Sequence, residues 1–161
     1  MKIVIGKNAC LVQPALKDNW EDLKFNTGTV VHINDQGQIH NEDGPAIISP
    51  GKFEQWYING LPHRNGAPAK CGPKGHESWY QHGVLHRANG PALTWPKGDR
   101  HWYFHGERLI SNDVVTPGKH TIEQQEFIIR NRPDLIGRIQ HLHKSLEAKY
   151  RHEVGLGKVD I

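Results

Sequence analysis

Cysteine is almost missing from this chain: Cys10 and Cys71 are the only two in 161 residues. They form no CxxC pair, so no disulfide framework is expected. Long apolar runs are missing too, and none reaches the roughly 18 residues that a membrane-spanning helix needs. The opening "MKIVIGKNACLVQP" is broken by "GKN" and makes a poor signal peptide. These absences predict a cytoplasmic protein with no membrane partner. An excess of charge is also lacking. Lys and Arg number 20 against 17 Asp and Glu, a net of +3 with His neutral. So weakly basic a chain permits an acidic protein or a nucleic acid as partner without requiring either. There is no GxSxG, P-loop, HExxH or dinucleotide fingerprint. The chain is expected not to be an enzyme and to carry no cofactor.

What the chain does have is punctuation and rings. Apolar residues make up only 36%, while Gly numbers 17 and Pro 10, which predicts many turns. Five Trp, four Tyr and four Phe must then supply much of the burial. Twelve His make the charge sensitive to pH between about 5 and 8.

These residues recur. Gly returns at Gly37, Gly60, Gly83 and Gly106, and His at His40, His63 and His86. Pro-Ala returns at Pro45-Ala46, Pro68-Ala69 and Pro91-Ala92. Trp-Tyr returns at Trp56-Tyr57, Trp79-Tyr80 and Trp102-Tyr103. Every interval is 23 residues. That is too short for the common two-helix repeats of about 33–47 residues. The segments between the Gly and Pro, such as "AIIS", "EQWYI", "ALTW" and "RHWYF", read as strands of about four to six residues. Each unit is expected to be two antiparallel strands, and successive units to extend a meander. Alternation then puts Trp56, Trp79 and Trp102 on a buried face. Tyr57, Tyr80, Tyr103, His82 and His105 fall on a wetter face.

The sheet needs a cover, and the last third offers one. Thr121 followed by Gln124 fits a capping box, predicting a helix over 122–131 that stops before Pro133. Leu135, Ile139, Leu142, Leu146 and Tyr150 then form one apolar stripe of a second helix, with Gly155 as its stop. Its other face carries Arg138, His141, Lys144 and Arg151. At the other end, "MKIVI" and "ACLVQ" suggest a hairpin, and Leu16, Trp20 and Leu23 lie at helical spacing. The expected class is α+β, with an antiparallel meander of two-strand repeats and two C-terminal helices. Residues 1–29 would be an N-terminal element, 30–110 the repeat sheet and 111–161 a helical tail.

The histidine column invites a metal reading, and geometry opposes it. Strands lie about 4.8 Å apart, so equivalent positions in two-strand units are roughly 10 Å apart. Zinc holds nitrogen at about 2.0–2.1 Å. His40, His63 and His86 therefore cannot share one ion. Their expected role is structural, tying adjacent units together, as is that of Trp56, Trp79 and Trp102. Arg64 and Arg87 are expected to stack on a neighbouring ring or to meet a carboxylate or phosphate. Tyr57, Tyr80 and Tyr103, with Arg64, Arg87 and Lys70 near them, would suit stacked single-stranded bases. No dense basic run supports that reading. Cys71 aligns with Ile48 and Thr94, which points to a space-filling role. The pair Glu42-Asp43 reads as solvated turn charge.

The stretch "LHRANGPALTWPKGDRHWYFHG" resembles the short MORN-like repeat, H-R-x-x-G-P-A followed by W-Y-x-x-G. Residues 37–109 are covered. His86, Arg87, Gly90, Pro91, Ala92, Trp102, Tyr103 and Gly106 match, as do His63, Arg64, Pro68, Ala69, Trp79, Tyr80 and Gly83. "NGAPA" departs from the pattern in the second unit, and Asn41 stands for Arg in the first. Such repeats occur in proteins of bacteriophages, large DNA viruses and some bacteria. The resemblance implies an extended meander, a binding or scaffolding role without catalytic residues, and a viral source.

The leading expectation is thus a phage-encoded interaction module that binds and modulates or inhibits a host protein in the host cytoplasm. Its contacts would come from the wet face and from Arg138, Lys144 and Arg151. The alternatives are a single-stranded nucleic-acid binder and a virion or assembly scaffold. Pairing of copies through the C-terminal helices is a further expectation.

Overall fold

The computed structural model describes residues 2–4, 28–51 and 53–151. The expected "ACLVQ" strand, the helix through Leu16, Trp20 and Leu23, Cys10 and the stop at Gly155 lie outside the described residues. The described chain is a ten-stranded antiparallel sheet with two side hairpins and a helical end. The sheet strands are β1 (Lys2–Val4), β2 (Val30–His32), β3 (Ile47–Ser49), β4 (Phe53–Gln55), β7 (Lys70–Cys71), β8 (Glu77–Ser78), β11 (Leu93–Thr94), β12 (Arg100–Phe104), β13 (Glu107–Ser111) and β14 (Val114–Val115), adjacent in that order. The side hairpins are β5 (Tyr57–Ile58) with β6 (Leu61–Pro62), and β9 (Tyr80–Gln81) with β10 (Val84–Leu85). The α+β meander with C-terminal helices is therefore the fold.

The repeat is richer than two strands. Each unit does give two strands to the sheet: β3–β4, β7–β8 and β11–β12. At Trp56 and Trp79, however, the chain turns a corner and adds a hairpin. The Trp56 and Trp79 N–H groups donate to the carbonyls of Ala69 and Ala92, the residues just before β7 and β11, both at 2.7 Å. Their carbonyls accept from His63 and His86 across the hairpin, both at 3.1 Å. The tryptophan is thus the residue at which pairing passes from sheet to hairpin. The hairpin tips are Asn59-Gly60 and His82-Gly83, and His105-Gly106 joins β12 to β13. Both residues of each tip have positive φ, the two-residue turn whose twist suits a hairpin.

That corner corrects the face assignment. Period-two alternation does not run through a bend. Tyr57 is buried, at 6% exposure, in a small core with Val31, Ile33, Ile39, Ala46 and Ile47. Trp56 and Trp79 are only half-buried. The alternation survives in β12, which is continuous: Trp102 is buried and Phe104 packs beside it on the same core. A bulge between Trp102 and Tyr103 lets β13 insert one extra residue, Leu109, which is fully buried.

Helix α1 (Ile122–Asn131) starts at the expected capping box. The Thr121 hydroxyl accepts from Gln124 N–H, and the Gln124 side chain accepts from Thr121 N–H. The second expected helix is broken. Pro133–Arg138 is a 3₁₀ turn, and only Lys144–Lys149 forms α2. His141 takes φ +55 between them. The buried Gln125 amide donates to His141 O and accepts from His143 N–H, so it satisfies the backbone at the break. The stripe still reaches the core: Leu135, Ile139 and Leu146 are buried, with Leu142 and Tyr150 against them. This core holds the last hairpin and β14. The helices therefore seal the end of the sheet rather than lie along it.

Candidate functional site

The recurring histidine is a clasp. Nδ1 of His40, His63 and His86 accepts from the backbone N–H of Asn59, His82 and His105, in each case at 3.1 Å. Those donors are the first residues of the hairpin tips one unit on. The next residue of each tip completes the grip: Gly60, Gly83 and Gly106 donate to the carbonyls of Ile39, Pro62 and Leu85 at 2.8–2.9 Å. Each unit thus holds the turn of the following one. These three bonds are exposed, so a released N–H can be taken up by water and each clasp contributes about 0.5–1.5 kcal/mol net. In two of the units the clasped residue is itself a histidine. His82 lies against His63 at 4.3 Å between ring centroids, and His105 stacks on His86 at 4.4 Å and 10°.

The arginine that follows is a lid on its tryptophan. The Arg64 guanidinium carbon is 3.8 Å from the Trp56 ring centroid, and that of Arg87 is 3.7 Å from Trp79, contacts worth about 0.5–2 kcal/mol each. Nη1 of each also donates to the Pro carbonyl four residues on, closing the loop. Asn41 makes the same bond to Pro45 O from its amide, which is why the first unit needs no Arg. "NGAPA" keeps the bond too and moves the positive-φ glycine one place earlier, to Gly66. Gly90 is required on two counts: its φ is +123, and a Cβ there would meet the Arg87 guanidinium at 3.0 Å.

Where the array stops, every slot is refilled. The His and Arg positions become Leu109 and Ile110, both fully buried. The Arg108 carbonyl, which a fourth tip would engage, accepts from the Thr116 hydroxyl at 2.9 Å. Trp102 receives the Arg132 guanidinium from the end of α1, at 5.5 Å. Arg132 is fixed by Asp113, Asp134 and the Asn112 carbonyl, and these carboxylates hold it firmly charged. Asn131 donates to Ala88 O and accepts from Gly90 N–H, tying the helix to the last Arg loop.

Between the second and third units the hairpins and Arg loops enclose an open groove of ≈ 700 Å³. Trp79, His82, Val84, His86, Arg87 and His105 are its main walls. Among the described residues no carboxylate lines it. Three of the expected contact residues, His82, Arg87 and His105, meet here. Val84, 42% exposed, was not singled out from the sequence. Its signal was the column Gln38, Leu61, Val84, Glu107, which turns apolar only in the middle. Trp79 and His86 serve both the scaffold and the groove. The Trp56 and Trp79 Nε1 atoms are buried and meet no acceptor among the described residues.

The other expected contacts are dispersed. Tyr57 is covered, and the Lys70 ammonium sits 5.2 Å from the ring centroids of both Tyr57 and Tyr80. A row of open tyrosine faces for stacking bases therefore does not form. Tyr103 is half-buried. Arg64 is spent on Trp56. Arg138 donates to the Asp113 carbonyl, while Lys144 and Arg151 are exposed on the tail.

Burial and then the neighbouring His82 or His105 hold the pKa of His63 and His86 below the ordinary histidine value. Burial also lowers that of Arg87, opposed by Glu77. Cys71 lies directly between Glu54 and Glu77 in the sheet. Burial and these carboxylates push its thiol up, against the pull of Arg64, so it is a poor nucleophile. Among the described residues no cluster of three or more His, Cys, Asp or Glu could hold a metal ion, and no helix is long and apolar enough to cross a membrane. Comparison with family models, with curated proteins and with solved structures found no match.

Proposed function

We propose that this chain is a non-enzymatic interaction module that binds and modulates a host protein, with the groove between its second and third units as the docking site. The observation that carries this is the groove's lining: an open wall of Trp79, Val84, His82, His105 and Arg87 with no carboxylate among the described residues. Exposed ring and aliphatic surface beside a cation suits an acidic segment that also carries an apolar side chain. The resemblance of the repeats to those of phage and viral proteins supports a viral source and a host target.

The test exploits the repeat itself. Glu107 occupies in the last unit the position that Val84 occupies in the one before. Val84→Glu is therefore compatible with the turn and places a carboxylate in the groove. Capture from host lysate with the wild type and with Val84→Glu, side by side, should yield a protein retained by the first and lost at least tenfold with the second. Equal retention by both would place the docking surface elsewhere, with the exposed Lys144 and Arg151 next to be tried. Titration with single-stranded DNA over a range of salt tests the nucleic-acid alternative. Tight binding that falls steeply with salt would replace the present reading.

A further inference from the structure

We propose that the two histidine pairs in ring contact, His63 with His82 (tilted) and His86 with His105 (stacked), form an acid-released clasp that opens the groove between the second and third units. The geometry dictates the sense of the switch. Nδ1 of His63 and of His86 accepts the turn N–H, so the proton on each neutral ring sits on Nε2. A second proton can only go to Nδ1. There it faces an N–H donor, and the bond is lost. The new imidazolium also lies 4.3 or 4.4 Å from a second titratable ring, so a charge on both repels. Acid therefore acts twice on the same turn.

The surroundings do not neutralise this. His82 and His105 are the charged-group neighbours that act on His63 and His86. Phe104 packs edge-on against the His86 and His105 rings and offers no charge. Arg87, in the same groove, adds a positive charge and is itself answered by Glu77 from β8. The first clasp is built differently: His40 has Glu42 at 3.7 Å, and Asn59 in place of a stacked histidine. The direction follows by linkage. Both clasp residues have folded pKa values below 6.5, so the unfolded or opened chain binds more protons just below that pH. The closed form is fully favoured above pH 6.5 and is lost as pH falls through the lowered values. Two of the turn residues, His82 and His105, are groove walls. Their release alters the surface offered to a partner.

This regulation rests on the groove being the docking site. The clasp is measured with no partner present, so its failure and that of the groove reading are separable. The measurement is amide hydrogen exchange of the full chain at about pH 7.5 and about pH 5, corrected for intrinsic rates. The His82 and His105 amides should lose about tenfold or more of their protection on acidification, while Phe127 and Ile128 in α1 hold theirs. Equal behaviour of turn and helix amides would overturn the proposal. A second arm uses His63→Leu/His86→Leu, the residue type that the chain itself places at the equivalent position, Leu109. In that variant, protection at the two turns should be low at both pH values. Retention of the wild-type pH dependence would also overturn the proposal. Nitrogen-15 shifts of the wild-type rings decide without any variant. Nδ1 of His63 and His86 should gain a proton over the pH range in which the turn amides lose protection. Rings still neutral after that loss would assign it to another group.

Discussion

The inner units and the sealed end are held by different physics. Between residues 39 and 106 the chain repeats small, directional contacts: a histidine on a turn, an arginine on a tryptophan, an alanine packed with no exposure at Ala46, Ala69 and Ala92. From Trp102 onward it buries large aliphatic surface. Six of the eight largest fully buried side chains among the described residues are Phe127, Leu109, Ile110, Ile128, Ile129 and Leu135, so the hydrophobic driving force is concentrated at one end. A stacked array needs such an end, because a terminal unit otherwise exposes the surface meant for its neighbour. Hydrogen bonds and ring contacts set the spacing of the units, and the end core anchors them.

The contrast is broken most directly by Phe127→Ala, which removes a ring from the centre of the end core. A loss of about 3–5 kcal/mol is expected in chemical denaturation. A loss near zero would mean that the helices decorate the array rather than anchor it. The two tryptophans sharpen the comparison. Trp102→Ala should cost about 3–5 kcal/mol because the residue is buried. Trp79→Ala should cost about 1–3 kcal/mol, from a half-buried ring and its arginine lid. Equal losses would show that the inner units are as tightly packed as the end. The smallest effect is expected from Thr116→Val, which removes the hydroxyl on the Arg108 carbonyl. That bond is exposed, so the expected cost is about 0.5–1 kcal/mol. A cost above about 2 kcal/mol would make termination of the turn ladder a larger contribution than its solvent exposure suggests.

Much of this was legible because it is periodic. The 23-residue interval, the meander, the capping box of α1 and the tying role of His40, His63 and His86 all follow from residue type and spacing. What escaped was non-local. Alternation through "QWYI" assumes an unbroken strand, and Trp56 is a corner because its N–H and C=O serve two different partners. The stripe from Leu135 to Tyr150 reads as one helix. Only Gln125, far away in sequence, reveals the break it satisfies. The change from His-Arg to Leu109-Ile110 was visible, but Arg132 reaching back to Trp102 was not. The groove is likewise a property of two units together. Its clearest sequence mark is a single apolar column at Leu61 and Val84, beside a turn where polar residues are common.

The refilled slots at Leu109, Ile110, Thr116 and Arg132 have a consequence for how such a chain can grow. They read only the last hairpin and are indifferent to how many units precede it. Tandem duplication of 23 residues upstream would meet the same clasp on one side and the same seal on the other. Length is therefore a variable that replication errors can change without redesigning the seal at Leu109, Ile110, Thr116 and Arg132. Each added copy would bring its own residues to the columns of Val84 and His82, the positions that line the present groove.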